Sequence, residues 1–437
     1  MASYDEDSTT LAVEAARPAL ADAGPGAVPE VLWFASSSPT YLEKTNATVV
    51  HAALRLPRST AAYDAAGAVR SGVGALRAAL DSTVTTVVVT GELRVGMPNG
   101  GDESAGGDAG AALVVGDGDG VIAEYLGAAS ATREFLDRWR SPGELRTKQW
   151  EEKFGENNYV ALSGQAWTDA LSSAGVIAAD VTAAIVVGPH SRAVGAVRKK
   201  LSVPSGVDIA KQIGSSGAVE AALHLAAQLD VASPGDVLAL VALSDGADVV
   251  LFRVTDAIVD RRPSRPVQPQ IAAGDDSLPY SKYLAWRAVM APEPPRRPEP
   301  ARVSASAAGR SVEWKYGFVG SRDRSSGAVH LPPARVSFVG GAVDDMEPIP
   351  MSEVLGTVVT LTVDRLAYSP SPPVIFAVVD FDGGGRLPLE LTDARPEQVR
   401  VGSRVEMTFR RLNTADGIAN YFWKGRVIDG PDEGNHP

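Results

Sequence analysis

The stretch Tyr63–Leu80, YDAAGAVRSGVGALRAAL, has a composition suited to a reactive site. It is small, apolar and interrupted by glycines, which lets backbones pack closely, and it predicts a helix. The buried N-terminus of such a helix lowers the pKa of a cysteine toward the thiolate that attacks acyl groups. The chain has no cysteine, so thiolate catalysis, disulfides and cysteine-bound zinc are all excluded.

The elements around this stretch alternate between helices and strands. Asp7–Gly24 is predicted as a helix that Asp7 or Ser8 caps, and Val84–Glu92 as a buried strand of the parallel kind. The turn DGDG at 117–120 predicts a hairpin between two further strands. The remaining predicted elements of this half are a strand at Val28–Ser37, a helix at Asn46–Arg55 and strands at Ala109–Gly116 and Val121–Ser130.

A second α/β run follows a polar, helix-prone bridge at 135–156, and the order of its elements echoes that of the first. We therefore expect two pseudo-equivalent halves, each a sheet covered by helices. The predicted elements are helices at Asn158–Ala174, Ala193–Leu201 and Gly217–Leu229, and strands at Ala183–Val187, Val237–Leu243 and Ala247–Val254, the last two as a hairpin.

The C-terminal third has a different pattern. Residues 291–310 are rich in Pro, Arg, Ala and Ser and predict a linker, and 311–341 are rich in loops. Five short alternating segments in 354–429 predict an OB-type barrel. The predicted division is 1–156 and 157–290 for the two α/β halves, 291–310 for the linker, 311–345 for a ribbon and 346–437 for the OB-fold domain.

Composition limits the class of protein. The chain has 437 residues, 45% of them hydrophobic and 22% charged, which is typical of a soluble globular protein of two or three domains. The net charge of −12 argues against nucleic-acid and membrane-surface binding. No apolar run approaches the ~18 residues of a membrane span. The first ten residues are acidic and do not resemble a signal peptide, so we predict a cytoplasmic protein.

The first two thirds of the chain resemble the hydroxymethylglutaryl-CoA synthase family, archaeal type, over about residues 4–287. The resemblance implies a thiolase-like fold of two halves in αβαβα layers, paired as a homo- or hetero-oligomer. Members of that family usually carry a strand and a helix before the segment that corresponds to Asp5–Ser8. The residues that carry it include Asp64, Ala68, Arg70, Ser71, Gly72 and Val73 around the family's nucleophile motif, Asp5–Ser8, Lys44–Val50, Gly106–Ala112 and Ser233–Asp236.

The same resemblance implies that three catalytic positions have been replaced. The family's acid/base glutamate falls on Ser37, its cysteine on Val69 and its histidine on Val187. His190 lies three residues further on and is expected on the surface. Ser37 or Ser71 could attack a thioester only with a base within hydrogen-bond reach, and no motif nearby supplies one.

The C-terminal part, about 280–429, resembles the proteins with a rubredoxin-like zinc ribbon and an OB fold that accompany thiolases. Trp314–Ser321, His330–Pro333, Asp380–Arg386 and Asn420–Lys424 carry that resemblance. It places the family's zinc cysteines at Asp323, Ser326, Ser337 and Gly340. This donor set predicts a ribbon without zinc, held by packing of Tyr316, Phe318, Leu331 and Phe338.

The resemblance and the lost residues together predict a non-catalytic subunit. It would work beside a thiolase-family protein and bind or shelter acyl-CoA, with no covalently bound cofactor. Arg198, Lys199 and Lys200 could meet the CoA phosphate or form a solvated helix face. Two alternatives remain open: an active acyl-CoA acyltransferase with non-standard residues, and a simple acyl-CoA-binding protein.

Overall fold

The computed structural model describes residues 1–428 and forms two compact units. The first unit consists of residues 1–2, 7–50 and 56–278. The second consists of residues 3–6 and 51–55 together with the chain from Pro279 onward. The five-part division stays a prediction, and residues 429–437 of the predicted OB-fold domain lie outside the described residues. None of the helices within residues 1–428 has the length and apolar composition that a bilayer crossing requires.

The first unit contains two four-stranded sheets, as the echo between its halves predicted. In the first sheet the order is β2-β1-β3-β4, with β1 parallel to both neighbours and β4 antiparallel to β3. In the second the order is β5-β10-β9-β8, with β8 parallel to β9 and the other pairs antiparallel. The strands are β1 Val31–Ser36, β2 Ala61–Ala66, β3 Thr86–Glu92, β4 Ala109–Val115, β5 Ala123–Thr132, β6 Arg138–Trp139, β7 Lys148–Gln149, β8 Ala183–Val187, β9 Val237–Leu243 and β10 Gly246–Val254.

Helices cover both sheets and separate them, which gives the αβαβα layers. Helix α3 packs Ala75 and Ala79 against the first sheet and Val73 and Leu76 against the second, and α8 lies beside it. Helices α5 and α6 cover the opposite face of the second sheet. The helices up to residue 278 are α1 Ser8–Ala23, α2 Ala47–Ala53, α3 Ser71–Leu80, α4 Gly101–Ala105, α5 Glu152–Ala174, α6 Ser191–Leu201, α7 Ala210–Ile213, α8 Glu220–Leu229 and α9 Val267–Ala272.

Three local predictions were wrong. Residues 63–66 of the predicted helix Tyr63–Leu80 belong to strand β2, and the helix begins only at Ser71, because pairing with β1 outweighs the helix propensity of the alanines in β2. The predicted DGDG hairpin does not form, since β4 and β5 belong to different sheets. The bridge at 135–156 holds the strand pair β6–β7 before α5 begins at Glu152. The capped helix after Asp7 is confirmed: the Asp7 carboxylate accepts from Thr9 and Thr10.

The second unit is a closed five-stranded barrel joined to a three-stranded sheet, so the OB-type barrel is confirmed. The barrel order is β14-β15-β16-β18-β17, and the small sheet has the order β12-β11-β13. The predicted linker contains one short helix, α11. The elements are α10 Tyr280–Trp286, α11 Ala305–Arg310, α12 Val312–Lys315, β11 Val319–Asp323, β12 Val329–His330, β13 Met346–Pro350, β14 Gly356–Asp364, β15 Val374–Phe381, β16 Arg386–Thr392, β17 Arg404–Ala415 and β18 Ile418–Val427.

Candidate functional site

A buried carboxylate at the end of β3 organises the candidate site. Glu92 closes an otherwise neutral, fully buried strand, and it is itself completely buried. Ser37, just beyond the end of β1, donates its backbone N–H to Glu92 Oε2 at 2.8 Å and its hydroxyl to Oε1 at 2.5 Å. The Ser38 hydroxyl also donates to Oε1, at 3.0 Å, and Arg94 Nη1 lies 3.6 Å away. The parallel register of β1 and β3 brings these strand ends together.

The loop before α8 brings a second carboxylate from the other half. The Ser215 hydroxyl donates to Glu220 Oε1 at 2.5 Å, and Glu220 is buried. Burial raises the pKa of Glu220, while hydrogen bonds from Ser215 and from the backbone at Gly188 and Ser216, with the nearby charge of Arg94, oppose this rise. The buried Ser216 hydroxyl has no hydrogen-bond partner within residues 1–428.

Two glycines allow these elements to meet. Gly217 has φ +59°, and a Cβ there would lie 3.0 Å from the carboxyl carbon of Glu92. Gly72, in the first turn of α3, packs so closely that a Cβ would lie 1.9 Å from the Ala218 carbonyl oxygen. A side chain at either position would push the two halves of the site apart. The start of α3, the end of β3 and the loop before α8 therefore converge on one buried polar region.

Of the three positions at which we predicted replaced catalytic residues, only Ser37 belongs to the hydrogen-bonded cluster. Val69 is half-buried in the turn before α3, where its carbonyl accepts from Gly72 N–H. Val187 ends β8 and is buried in an apolar cluster with Val73 and Leu76 of α3. Val69 and Val187 therefore offer no polar side-chain atom to a substrate.

Two expectations about individual residues need correction. No motif was expected to supply a base near Ser37, yet the Glu92 carboxylate accepts its hydroxyl hydrogen. His190 was expected on the surface but is 2% exposed. It caps helix α6 by accepting from Ala193 N–H, and its Nε2 lies 3.0 Å from the Glu152 carbonyl oxygen. Its ring also lies edge-on to the buried ring of Tyr159, with centroids 5.9 Å apart.

The basic residues proposed for CoA lie on α6 and are unequal in their contacts. Arg198 pairs with Asp208 at 2.5 Å and donates to the Val186 carbonyl. Lys200 donates to the Val160 carbonyl at 2.9 Å, and Lys199 is exposed. Their role in binding CoA stays a prediction.

The four ribbon positions form two turns, three of whose side chains meet. Ser326 and Ser337 both hydrogen-bond the buried Asp323, together with Ser325, and these bonds hold the pKa of Asp323 well below its usual range. Gly340 lies in the second turn with φ +76°. One carboxylate and two hydroxyls do not fit a structural zinc ion, which takes thiolates and imidazoles. No group of three or more His, Asp or Glu suited to a metal occurs within residues 1–428.

The packing expected to hold the ribbon is only partly present. Phe318 is fully buried and stacks on Trp423, but Phe338 is 75% exposed. Phe338 was expected inside and instead lies edge-on to His330, with ring centroids 4.4 Å apart. Its turn carries the ring outward, so the prediction for this residue was wrong.

The fold and the two-unit architecture define the class: a thiolase-like body joined to an OB-fold domain. The chain resembles a solved hydroxymethylglutaryl-CoA synthase complexed with CoA, with a TM-score of 0.51 and 18% identity over 61% of this chain and 77% of that one. It also resembles the 3-oxoacyl-(acyl carrier protein) synthase III of Pseudomonas aeruginosa, with a TM-score of 0.50 and 20% identity over 58% and 84%. At these identities the likeness shows the fold alone.

Sequence comparison gives the family. The chain is 30% identical to the hydroxymethylglutaryl-CoA synthase of Picrophilus torridus over 306 residues, covering 65% of this chain and 85% of the relative. It is 30% identical to that of Pyrobaculum aerophilum over 305 residues, with the same coverages. The chain therefore belongs to the hydroxymethylglutaryl-CoA synthase family. Residues 349–410 match the family model described as the C-terminal OB-fold domain of ChsH2.

Sequence reasoning missed the two carboxylates of the site. Glu92 had a usable signal, because a charged residue directly ends the apolar run TVVVTG, at the position where a buried strand meets a site. Glu220 follows the segment GSSGAV and opens an apolar helix, which looks like an ordinary first-turn acid. Only the structure shows that it is buried.

Proposed function

We propose that this chain is a non-catalytic subunit of the hydroxymethylglutaryl-CoA synthase family, which binds or shelters acyl-CoA beside a thiolase-family partner. The observation that carries the proposal is the pair of valines at the predicted cysteine and histidine positions. Val187 lies in an apolar cluster, and neither valine can form a thioester or move a proton. Losing even one member of a cooperating catalytic set costs orders of magnitude in rate. The expected location is the cytoplasm.

Open sheet edges support assembly with another chain. Within the described residues, β2 and β4 are the edges of the first sheet. Only Ala111 of the seven residues of β4 is buried, whereas eight of the nine residues of β10, which lies inside the second sheet, are buried. Uncovered strand edges favour pairing with another polypeptide. The partner would be a second copy or a different thiolase-family chain.

The first test is whether the chain acts alone. The purified full chain is incubated with acetyl-CoA or acetoacetyl-CoA, CoA release is assayed, and the intact mass is measured. We expect no covalent gain of mass and no CoA release. A stable gain of one acetyl group would overturn the non-catalytic proposal.

The second test concerns the partner. The chain is co-expressed with the products of its neighbouring genes and analysed by size-exclusion chromatography, and thiolase activity is measured with and without it. Co-elution or a changed activity supports the subunit proposal. Elution as a lone monomer that binds acyl-CoA in calorimetry and alters no activity would instead support the simple acyl-CoA-binding protein.

A second candidate function rests on the contact between Ser37 and Glu92. A hydroxyl 2.5 Å from a buried carboxylate is the arrangement of a nucleophile and its base. In this candidate reaction, Ser37 Oγ attacks the thioester carbonyl carbon as Glu92 takes the hydroxyl proton. The C–S bond then breaks, and CoA leaves as a thiol after receiving that proton. The chain would be an acyl-CoA acyltransferase with a serine nucleophile.

A comparison of two serine variants distinguishes the serine acyltransferase from the non-catalytic subunit. If acetyl transfer to the chain occurs, the S37A variant must lose it, whereas the S38A variant keeps the hydroxyl of Ser37 and serves as the matched control. An acyl mass that persists in S37A would exclude Ser37 as the nucleophile. No acyl mass in the unmodified chain would leave only the non-catalytic candidates.

A further inference from the structure

The second unit contains a pocket that the proposed function does not use. It lies between the ribbon strand β12 and the turn joining β15 to β16, and its volume is about 430 Å³. That volume is within the range of small-molecule sites. Val329, Leu331 and Phe381 contribute apolar wall, and the exposed Phe338 also lines the pocket.

Two glycines form part of the barrel side of this pocket. Gly384 and Gly385 have φ of +113° and +96°. A Cβ on Gly385 would lie 2.9 Å from Leu331 Cδ1, so a larger residue there would fill the space. The glycine turn therefore keeps the pocket open.

One residue that lines the pocket has a buried polar atom without a hydrogen-bond partner in the described part of the chain. His330 lines the pocket and is 6% exposed, yet its Nε2 makes no hydrogen bond within residues 1–428. Buried polar atoms in folded proteins nearly always have a partner, and leaving one unpaired costs free energy. A ligand atom that hydrogen-bonds this nitrogen would remove the cost.

The second polar group of the pocket is partly engaged. Arg386 donates Nε and Nη2 to the two carboxylate oxygens of Asp380, at 2.5 and 2.7 Å. Its Nη1 makes no hydrogen bond within residues 1–428. An arginine nitrogen can only donate, so its ligand must offer an acceptor.

Charge limits the ligand further. Asp380 and Arg386 are the charged residues that line the pocket, and they neutralise each other. A dianion such as a phosphate monoester would therefore meet an acidic neighbour without an excess of positive charge. A single negative charge on an apolar body suits two donors and aliphatic and aromatic walls.

We propose that this pocket binds a small monocarboxylate with a branched or aromatic apolar body. One carboxylate oxygen accepts from His330 Nε2–H and the other from Arg386 Nη1, while the body packs against Leu331, Phe338 and Phe381. The site is separate from the polar cluster around Glu92 and does not depend on the function proposed above.

Calorimetric titration of the full chain tests the proposal with four probes. Benzoate and isovalerate carry both the charge and the apolar body, benzamide lacks the charge, and acetate lacks the body. We expect both acids to bind at least about tenfold tighter than benzamide and acetate, since tenfold corresponds to one lost charge-assisted hydrogen bond. Benzoate that binds no better than benzamide would overturn the proposal.

Variants locate the binding. R386Q and H330L should each lower the affinity for benzoate about tenfold or more. H330Q keeps a donor, and its affinity should stay within about threefold of that of the unmodified chain. R335Q is the matched control, because Arg335 forms a similar two-bond pair with Asp344 in the ribbon but does not line the pocket. If H330L folds poorly, R386Q and H330Q decide alone. Affinity unchanged in R386Q, or equally weakened in R335Q, refutes the site.

Discussion

Both units bury ionisable groups completely, but they satisfy these groups in different ways. In the first unit, Glu92 and Glu220 accept from serine hydroxyls, and His224 on α8 has an Nδ1 with no partner within residues 1–428. In the second unit, Asp5 is paired with two buried cations, Arg410 at 3.1 Å and Lys424 at 3.0 Å.

The pKa directions follow from these partners. Burial raises the pKa of Glu220 and lowers that of His224 to about 4, so both favour their neutral forms. Burial also opposes the charge of Asp5, yet Lys424 and Arg410 outweigh it and keep its pKa below the ordinary value. Burial opposes the charge of Lys424 too, but Asp5, Tyr4 and Glu390 raise its pKa.

The difference separates a structural network from a candidate chemical site. The second unit holds opposite charges in direct contact, as in a network whose role is to fasten the segment 3–6 to β17 and β18. The first unit holds carboxylates beside neutral hydroxyls, with which they can exchange a proton. Four predictions test this contrast.

The largest effect is expected from K424M. Removing Nζ leaves Asp5 buried and takes away the 2.8 Å contact with Glu390. Breaking a buried pair typically lowers the free energy of unfolding by about 3–5 kcal/mol. Urea denaturation followed by tryptophan fluorescence measures this loss of unfolding free energy.

The matched control removes both charges. The double variant D5N/K424M should recover part of the loss, because in K424M the buried charge of Asp5 keeps only Arg410, at 3.1 Å, of its two cations. R386Q, which breaks an exposed pair, should change the free energy by no more than about 1 kcal/mol. A K424M loss as small as that of R386Q would contradict the structural role of the network.

The second effect concerns pH and His224. The folded protein keeps this imidazole neutral down to about pH 4, while the unfolded chain protonates it near 6.5. The contribution of neutral His224 to the free energy of unfolding is therefore fully present above pH 6.5. It is lost as the pH falls from 6.5 to 4, by about 3 kcal/mol from the pKa difference. The H224Q variant should lack this part of the loss. Parallel stability–pH curves for the two proteins would show that His224 is not held neutral.

A smaller effect is expected from the carboxylate at the end of β3. E92L leaves the Ser37 N–H and two serine hydroxyls without their acceptor, which should cost about 1–3 kcal/mol of unfolding free energy. E92Q keeps an oxygen in place and should cost less. Equal losses in E92L and E92Q would mean that the negative charge, through Arg94, matters more than the hydrogen bonds.

The smallest effect is expected from E220Q. The raised pKa of Glu220 means that the folded state takes up its proton more readily than the unfolded chain. Stability from this group is present at low pH and is lost as pH rises from the ordinary glutamate pKa through the raised one. E220Q should therefore be the more stable protein at pH 7, and the two should converge in acid. A destabilised E220Q at pH 7 would show that Glu220 works as an anion.

Much of the architecture was predictable because it follows local periodicity. The five barrel strands alternate in the sequence, β8 was predicted with its observed bounds, and Asp7 marks the start of α1. The strand at 61–66 was not predictable from its own residues, since alanines favour a helix until a neighbouring strand offers backbone partners. The pairing of β5 with β10 is also a long-range choice.

The sequence by itself determined what the protein cannot do with sulfur: no cysteine exists to form a thiolate, a disulfide or a zinc thiolate site. It also determined the succession of α/β elements and barrel strands, because the spacing of apolar residues along a short segment indicates whether that segment forms a helix or a strand. Tertiary structure alone decided that Ser37 meets Glu92, that His190 turns inward and that His330 lines a pocket. These contacts join residues far apart in the chain, and their geometry depends on close packing at Gly72, Gly217 and Gly385 that no local pattern encodes.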